Sequence, residues 1–99
     1  MYLIRDIMYC RPGQVRQMVE KFKALNKAMK KKGMGKMRVL TDVSAERYWT
    51  VVSELEVKDL GEYTEMSRTT MQDKDFQKAM KGYHDHVSQG RREIYMIEM

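Results

Sequence analysis

Alternation of apolar and polar positions divides the chain into short strands and two helical regions. Tyr2 to Cys10 is rich in Ile, Tyr and Met and is short enough for a strand. Apolar residues then recur at helical spacing: Val15, Met18, Val19, Phe22, Leu25 and Met29. This pattern predicts a first helix, entered through the turn Arg11-Pro12-Gly13 and ended by Gly33. The chain therefore begins as a strand followed by a helix.

Two further strands are predicted after Gly33. They cover Met37 to Val43 and Tyr48 to Val57, and a hairpin-length connection at residues 44–47 joins them. The later strand alternates two sets of side chains: Trp49, Val51, Ser53, Leu55 and Val57 against Tyr48, Thr50, Val52, Glu54 and Glu56. The first set is the more apolar, so we expect it to face the core.

The second helical region is predicted to consist of two segments. Asp59 followed three residues later by Glu62 indicates a capping box, and Asp73 offers a second N-cap. Four residues of the second segment share one helical face: Phe76, Met80, Tyr83 and Val87. We expect this helix to end at Gly90. Arg92 to Met99 then predicts a last strand.

The resulting order, βαββαβ, predicts a ferredoxin-like sandwich of the α+β class over residues 1–99. Such a fold has a four-stranded antiparallel sheet with two helical segments on one face. A chain of 99 residues is suited to a single domain of this kind.

The other face of the sheet carries the prediction about assembly. In the last strand, Ile94 and Met96 alternate with Tyr95 and Ile97, so both faces carry apolar side chains. Helices cover one face, and the same sheet of a second copy is the simplest cover for the other. We therefore expect a homodimer through the sheet faces, which is a dimeric α+β barrel.

The charge of the chain raises the question of acidic partners. Its net charge is +5, and the densest basic group comprises Lys27, Lys30, Lys31, Lys32, Lys36 and Arg38. Most of this group ends the first helix, where cations complement the helix dipole. The third strand also lacks the basic-glycine-aromatic signature of RNA-recognition domains. We therefore expect no specific nucleic-acid binding.

The cellular location is predicted from the apolar runs, the first residues and the cysteine content of the chain. No apolar run approaches the roughly 20 residues that span a bilayer, so no membrane partner is expected. The first residues lack the pattern of a signal peptide, and the lone Cys10 cannot form an internal disulfide. A cytoplasmic location is predicted.

Three segments carry a resemblance to known proteins. They are the run Arg11-Pro12-Gly13-Gln14-Val15 before the first helix, the strand containing Trp49, and the closing run Gly90-Arg91-Arg92-Glu93-Ile94-Tyr95. In these the chain resembles the dimeric α+β barrel superfamily, and within it NIPSNAP-like and antibiotic-biosynthesis-monooxygenase-like small proteins. The resemblance implies a dimer with a pocket between sheet and helices in each protomer. It also implies that some relatives oxidise aromatic polyketides or degrade haem without a dedicated cofactor-binding motif, so no cofactor is expected.

His84 is the candidate catalytic residue. His84 and His86 would point about 200° apart on a helix, unlike the i, i+4 pair that chelates a metal, so no metal site is expected. His84 lies nearer the apolar face of the predicted helix, and an imidazole can shuttle a proton near neutral pH. His86 is expected to behave as a surface residue. The alternative for His84 is a polar edge of the core or a solvent-facing position.

The predicted ligand pocket is lined by Tyr9, Trp49, Tyr83 and His84. Its aromatic rings would form a wall for a small apolar or aromatic ligand, although core packing explains the same residues. Arg5 and Asp6 are neighbours in the first strand, so the alternation does not decide which face of this strand turns toward the pocket. Either charge would be partly buried near the sheet centre and needs an ion-pair partner such as Arg38 or Glu54.

Two function hypotheses remain open. The first is a small-molecule-binding protein, in the finer form a cofactor-independent monooxygenase-like enzyme; the second is a non-catalytic dimerisation or regulatory module. They differ in whether a cavity of roughly 300 Å³ or more, with an inward-facing polar group, lies between sheet and helices.

Overall fold

The computed structural model describes all residues, 1–99. Its strands and helices are β1 (Tyr2–Cys10), α1 (Val15–Lys31), β2 (Arg38–Thr41), β3 (Thr50–Val57), α2 (Leu60–Gln72), α3 (Lys74–Met80) and β4 (Val87–Met96). A short 3-10 helix, Tyr83–Asp85, connects α3 to β4. The sheet is antiparallel, with the strand order β2-β3-β1-β4. This order confirms the predicted ferredoxin-like α+β fold.

Strand register assigns the side chains of the sheet to its two faces. Met8 of β1 lies between Val51 of β3 and Gly90 of β4, and Ile4 lies between Leu55 and Ile94. These residues belong to the face that the helices cover. The core there also contains Met18, Val19, Phe22 and Met29 of α1 and Phe76 of α3. The opposite face has no helix on it and is called the open face below.

Helix α1 ends as the sequence predicts, because its last carbonyls find backbone partners. Gly33 has φ 69° and donates its N–H to the carbonyl of Lys30, and Met34 donates to the carbonyl of Met29. This pair of bonds is a Schellman motif, which needs a left-handed residue at the position of Gly33. The side-chain amide of Asn26 then donates to the carbonyl of Met37 at 2.9 Å and accepts from its N–H at 3.0 Å. The chain is thereby returned toward β2.

Both predicted N-caps are confirmed. The Asp59 carboxylate accepts from the N–H of Glu62 at 2.7 Å, and Asp73 accepts from the N–H groups of Asp75 and Phe76 at 2.8 and 3.3 Å. Lys32 Nζ lies 3.0 Å from Asp73 Oδ2. Its ammonium lowers the pKa of Asp73, and Asp73 in turn raises the pKa of Lys32. The pair ties the end of α1 to the start of α3.

The predicted continuation of the last helix to Gly90 is wrong. Helix α3 ends at Met80, and Gly82 takes a left-handed φ of 80° that turns the chain. Val87 to Gly90 then form the first part of β4, paired with Met8 to Cys10 of β1. The last strand consequently runs over Val87–Met96 rather than 92–99. Backbone pairing with β1 satisfies N–H and C=O groups of residues 87–90, and this outweighs a helical spacing of four apolar side chains.

The hairpin between β2 and β3 also differs from the prediction. The two strands end at Thr41 and begin at Thr50, so the connection is longer than residues 44–47. Thr50 N–H donates to the Asp42 carboxylate at 2.9 Å, and the Thr50 hydroxyl donates to the carbonyl of Arg47 at 2.7 Å. These bonds hold a closed loop, in which Trp49 has φ 62°. Trp49 therefore lies outside the strand alternation in which we had placed it.

The structure contains no helix whose length and apolar character would allow it to cross a bilayer.

Cys10 lies at the end of β1 and is 6 % exposed. Burial raises the pKa of its thiol, and the charge of Asp42 adds to the effect. Since the thiolate is the reactive form, we expect the folded protein to react with a disulfide reagent at least about tenfold more slowly than the urea-unfolded chain at neutral pH. Because the folded-state pKa is raised, the free energy of unfolding should fall as pH rises above the unfolded thiol pKa of about 8.5. Equal labelling rates in the two states would contradict this expectation.

Candidate functional site

A cleft of about 470 Å³ lies beside the first half of β4. The middle of β1 and the 3-10 helix form its other walls. Its lining residues are Asp6, Ile7, Met8, Tyr83, His84, Val87, Ser88, Gln89, Gly90, Arg91 and Arg92. The volume exceeds the roughly 300 Å³ at which ligand pockets begin. Charged and aromatic groups border the same space. No residue of α1, α2 or α3 lines it, so it is not the cavity between sheet and helices on which the two function hypotheses differ.

Tyr83 and His84 form the aromatic wall of the cleft. Their ring centroids lie 3.9 Å apart with an angle of 34° between the planes. The left-handed turn at Gly82 positions them by ending α3 and starting the 3-10 helix. Tyr83 is half-buried against the core, whereas His84 is exposed to the solvent of the cleft. His84 can therefore meet a ligand without displacing core side chains.

Asp6 and Arg92 form the polar wall. They are register partners on β1 and β4, and Arg92 Nε donates to Asp6 Oδ1 at 2.6 Å. This hydrogen bond raises the pKa of Arg92, so the guanidinium keeps its charge. The same guanidinium lies 5.4 Å from the ring centroid of Tyr63 on α2. Contacts on two sides fix a cation at the border of the cleft.

Of the four predicted pocket residues, the structure brings Tyr83 and His84 together and places the other two elsewhere. Tyr9 is buried on the open face, where the Arg47 guanidinium lies 4.2 Å from its ring centroid. It lines a separate hollow of about 140 Å³ together with Ile7 and Val52. Trp49 is 43 % exposed in the β2–β3 loop and lines neither space.

The two histidines do not lie on the predicted α-helix, because α3 ends at Met80. His84 lies in the 3-10 helix, and His86 follows it directly. His86 is half-buried, with Nδ1 2.7 Å from Oε1 of Gln14, so it is not the surface residue we expected. Its carbonyl also accepts the N–H of Arg11. His86 therefore fastens the end of the 3-10 helix to the start of α1, outside the cleft.

Sequence reasoning missed Asp6, Gly90 and Arg92 as lining residues. Asp6 and Arg92 meet only because β4 pairs with β1 across 86 residues of sequence. The opposite charges of Asp6 and Arg92 on the first and last strands could have indicated that these strands pair. The predicted helix to Gly90 left the register of β4 undefined, so this pair was not recognised. Gly90 presents no side chain to the cleft, and this keeps the middle of the β4 wall open.

The open face carries a row of alternating charges. Register places Arg38, Glu54, Arg5 and Glu93 side by side on β2, β3, β1 and β4. Arg5 Nε lies 3.0 Å from Glu54 Oε2, although not aligned for a hydrogen bond, and Nη1 lies 3.6 Å from Glu93 Oε1. Arg38 also pairs with Glu54. The predicted ion pairing of Arg5 is confirmed, and the open face is less apolar than the strand pattern suggests.

Comparisons with known proteins bear on the fold. No protein-family model matches the chain, and no curated protein matches it. Among solved structures, a NIPSNAP-like domain protein from Burkholderia xenovorans has 14 % sequence identity and a TM-score of 0.81, over 97 % of this chain and 84 % of that one. A NIPSNAP family protein from Agrobacterium tumefaciens has 11 % identity and a TM-score of 0.81, over 96 % and 90 %.

A third similar structure is described as an antibiotic biosynthesis monooxygenase. It has 10 % sequence identity and a TM-score of 0.71, over 98 % of this chain and 98 % of that one. The structural neighbours thus include both groups of proteins that the sequence resembles. At these identities the similarity establishes the shared ferredoxin-like α+β fold.

Proposed function

We propose that this chain is a homodimeric small-molecule-binding protein whose ligand occupies the cleft at Tyr83 and His84. The cleft itself carries the proposal, because it combines about 470 Å³ of space with an aromatic wall and a charged one. Ligand sites are typically concave surfaces with a few convergent polar groups. A cytoplasmic location agrees with the unpaired thiol of Cys10.

The lining favours a flat aromatic acid as ligand. Tyr83 and His84 offer ring surfaces, against which an aromatic ring can pack. Arg91 and Arg92 are the cations of the lining; Arg91 lies 3.2 Å from Glu93 and Arg92 lies 2.6 Å from Asp6, so a ligand carboxylate would share one of these guanidinium groups with a carboxylate of the chain.

Assembly as a dimer is supported by the charge row of the open face. A two-fold axis parallel to the strands would reverse the strand order in the facing sheet. Arg38 would then lie opposite the partner's Glu93, and Glu54 opposite the partner's Arg5, so that opposite charges meet. An axis perpendicular to the strands in the same plane would bring like charges together. The row therefore favours one orientation of a face-to-face dimer.

Monooxygenase-like catalysis is the finer form of the proposal. His84 supplies a proton acceptor within the cleft, and one structural neighbour is described as a monooxygenase. Oxygen consumption in the presence of a bound hydroxylated aromatic acid would support this form. Binding without oxygen consumption would limit the function to ligand binding.

Replacement of His84 tests the site. We expect His84→Ala to weaken binding of 1-hydroxy-2-naphthoate, measured by the ligand's fluorescence, by about tenfold, because the ring stacks on Tyr83 and borders the cleft. His86→Ala is the matched control, since His86 does not line the cleft, and its effect on binding should stay within about 0.5 kcal/mol. Equal effects of the two changes would contradict this site. No effect of either would favour a non-catalytic dimerisation or regulatory module.

A further inference from the structure

A basic groove runs along the outer surface of the helices, between α1 and α3, away from both the cleft and the open face. It has a volume of about 900 Å³. Five cations line it: Arg16, Lys21, Lys27, Lys31 and Lys78. Glu20 and Asp75 are its two carboxylates. The lining therefore has a net charge of +3, since five positive and two negative groups contribute.

Most cations of the groove lack a partner within the chain. Glu20 lies 3.4 Å from Lys23, and Asp75 lies 3.7 Å from Lys32, so both carboxylates pair with lysines outside the lining. Lys21 donates to the carbonyl of Lys81. The remaining four form no ion pair: Arg16, Lys27, Lys31 and Lys78. An anionic partner would not have to displace an internal carboxylate to reach them.

The floor of the groove consists of small side chains. Ala24 and Ala28 lie one turn apart on α1, and Ala79 lies on α3. Alanines allow a backbone to approach closely while the longer lysine side chains rise on either side. From Arg16 to Lys31 the groove follows α1 for about 22 Å, the length of a helix of about four turns.

We propose that this groove binds an acidic helical segment of a protein partner. Most of its cations lack ion-pair partners, and Lys27 and Lys31 lie one turn apart on α1, which is the spacing that carboxylates take along one side of a helix. A nucleic acid fits less well, because the groove has no Phe, Tyr or Trp on which bases can stack. A membrane fits less well, because the apolar side chains of α1 are turned toward the sheet.

The test uses fluorescently labelled model peptides at physiological salt. One is an alanine-rich helix of about 15 residues with glutamates at i, i+4 spacing, and the other has the same composition in scrambled order. We expect the protein to bind the striped peptide at least about tenfold more tightly, because only that peptide aligns its carboxylates with the cations. Fluorescence anisotropy gives both dissociation constants. A duplex DNA and phosphatidylserine vesicles are the competing probes.

Variants locate the binding surface. Lys27→Glu with Lys31→Glu should weaken binding of the striped peptide at least about tenfold, whereas Lys30→Glu with Lys36→Glu, outside the groove, should change it less than about threefold. Ala24→Phe leaves the charge unchanged but fills the floor, and should also weaken binding.

Three results would overturn the proposal. They are equal weakening by the two double variants, equal binding of the two peptides, and tighter binding of the DNA or the vesicles than of the striped peptide. Because no groove variant touches the cleft, binding of 1-hydroxy-2-naphthoate should remain unchanged in all of them. The proposal thus stands or falls independently of the proposed function.

Discussion

Tyr95→Lys is expected to convert the proposed dimer into a monomer at micromolar concentration. Tyr95 is 48 % exposed at the open face of β4, so a lysine there is tolerated by the single chain. In a face-to-face dimer the same ammonium would be buried. The neighbouring carboxylate of Glu93, to which the Tyr95 hydroxyl donates at 2.9 Å, already lies 3.6 Å from Arg5 and 3.2 Å from Arg91, and a buried ion without its own partner costs several kcal/mol. With two such groups across the two-fold axis, the dissociation constant should rise at least about 100-fold. Sedimentation velocity over a concentration series measures the change.

Ile94→Lys is the matched control for the dimer prediction. Ile94 adjoins Tyr95 on the same strand and is 45 % exposed, but it points to the face that the helices cover. The same new charge at this position should leave the dimer intact. A monomeric parent protein, or loss of the dimer in both variants, would remove sheet-to-sheet assembly from the proposed function.

Phe76→Ala is expected to cost about 3–5 kcal/mol of the free energy of unfolding. Phe76 is 2 % exposed and belongs to the core cluster together with Met18 and Val51. It is the one buried residue of α3, a helix of seven residues, while α2 buries none. Removing its ring therefore leaves a cavity and also loosens the element that leads to the cleft. Urea unfolding at fixed protein concentration measures the loss.

Met71→Ala is the control for the core prediction. Met71 lies near the end of α2 on the protein surface, and its truncation should change stability by no more than about 0.5 kcal/mol. Similar losses in both variants would mean that α3 is not anchored through Phe76. A normal midpoint for Phe76→Ala with weakened ligand binding would instead indicate local opening beside the 3-10 helix.

Local chemistry allowed the sequence to predict much of the fold. The apolar stripe of α1 and its stop at Gly33 need only neighbouring residues, and the bounds of β1 match the predicted strand. The caps at Asp59 and Asp73 are bonds to residues two or three positions away. Such interactions join residues only a few positions apart, so the pattern of residues along the sequence is enough to predict them.

The site depended on contacts that such a pattern does not contain. Residues 87–90 pair with β1 even though Val87 continues a helical spacing, because the edge of β1 satisfies their backbone groups. The same pairing brings Asp6 to Arg92 and sets the border of the cleft. Trp49 lies outside the predicted pocket because a loop closed by Asp42 turns its backbone, whereas Tyr9 lies outside it because the register of β1 places its side chain on the open face.

The sequence by itself determined the order of elements, the end of α1 at Gly33, the N-caps at Asp59 and Asp73, and the presence of Tyr83 and His84 beside each other. Only the tertiary structure decided that β4 forms the wall opposite Tyr83 and His84. It also decided that Tyr9 lies on the open face beside Arg47, and that the His86 ring pairs with the side chain of Gln14. The physical reason is the range of the interactions. Capping and amphipathic spacing act within a few residues, whereas strand pairing joins backbone groups that lie up to 94 positions apart, as in Tyr2 and Met96.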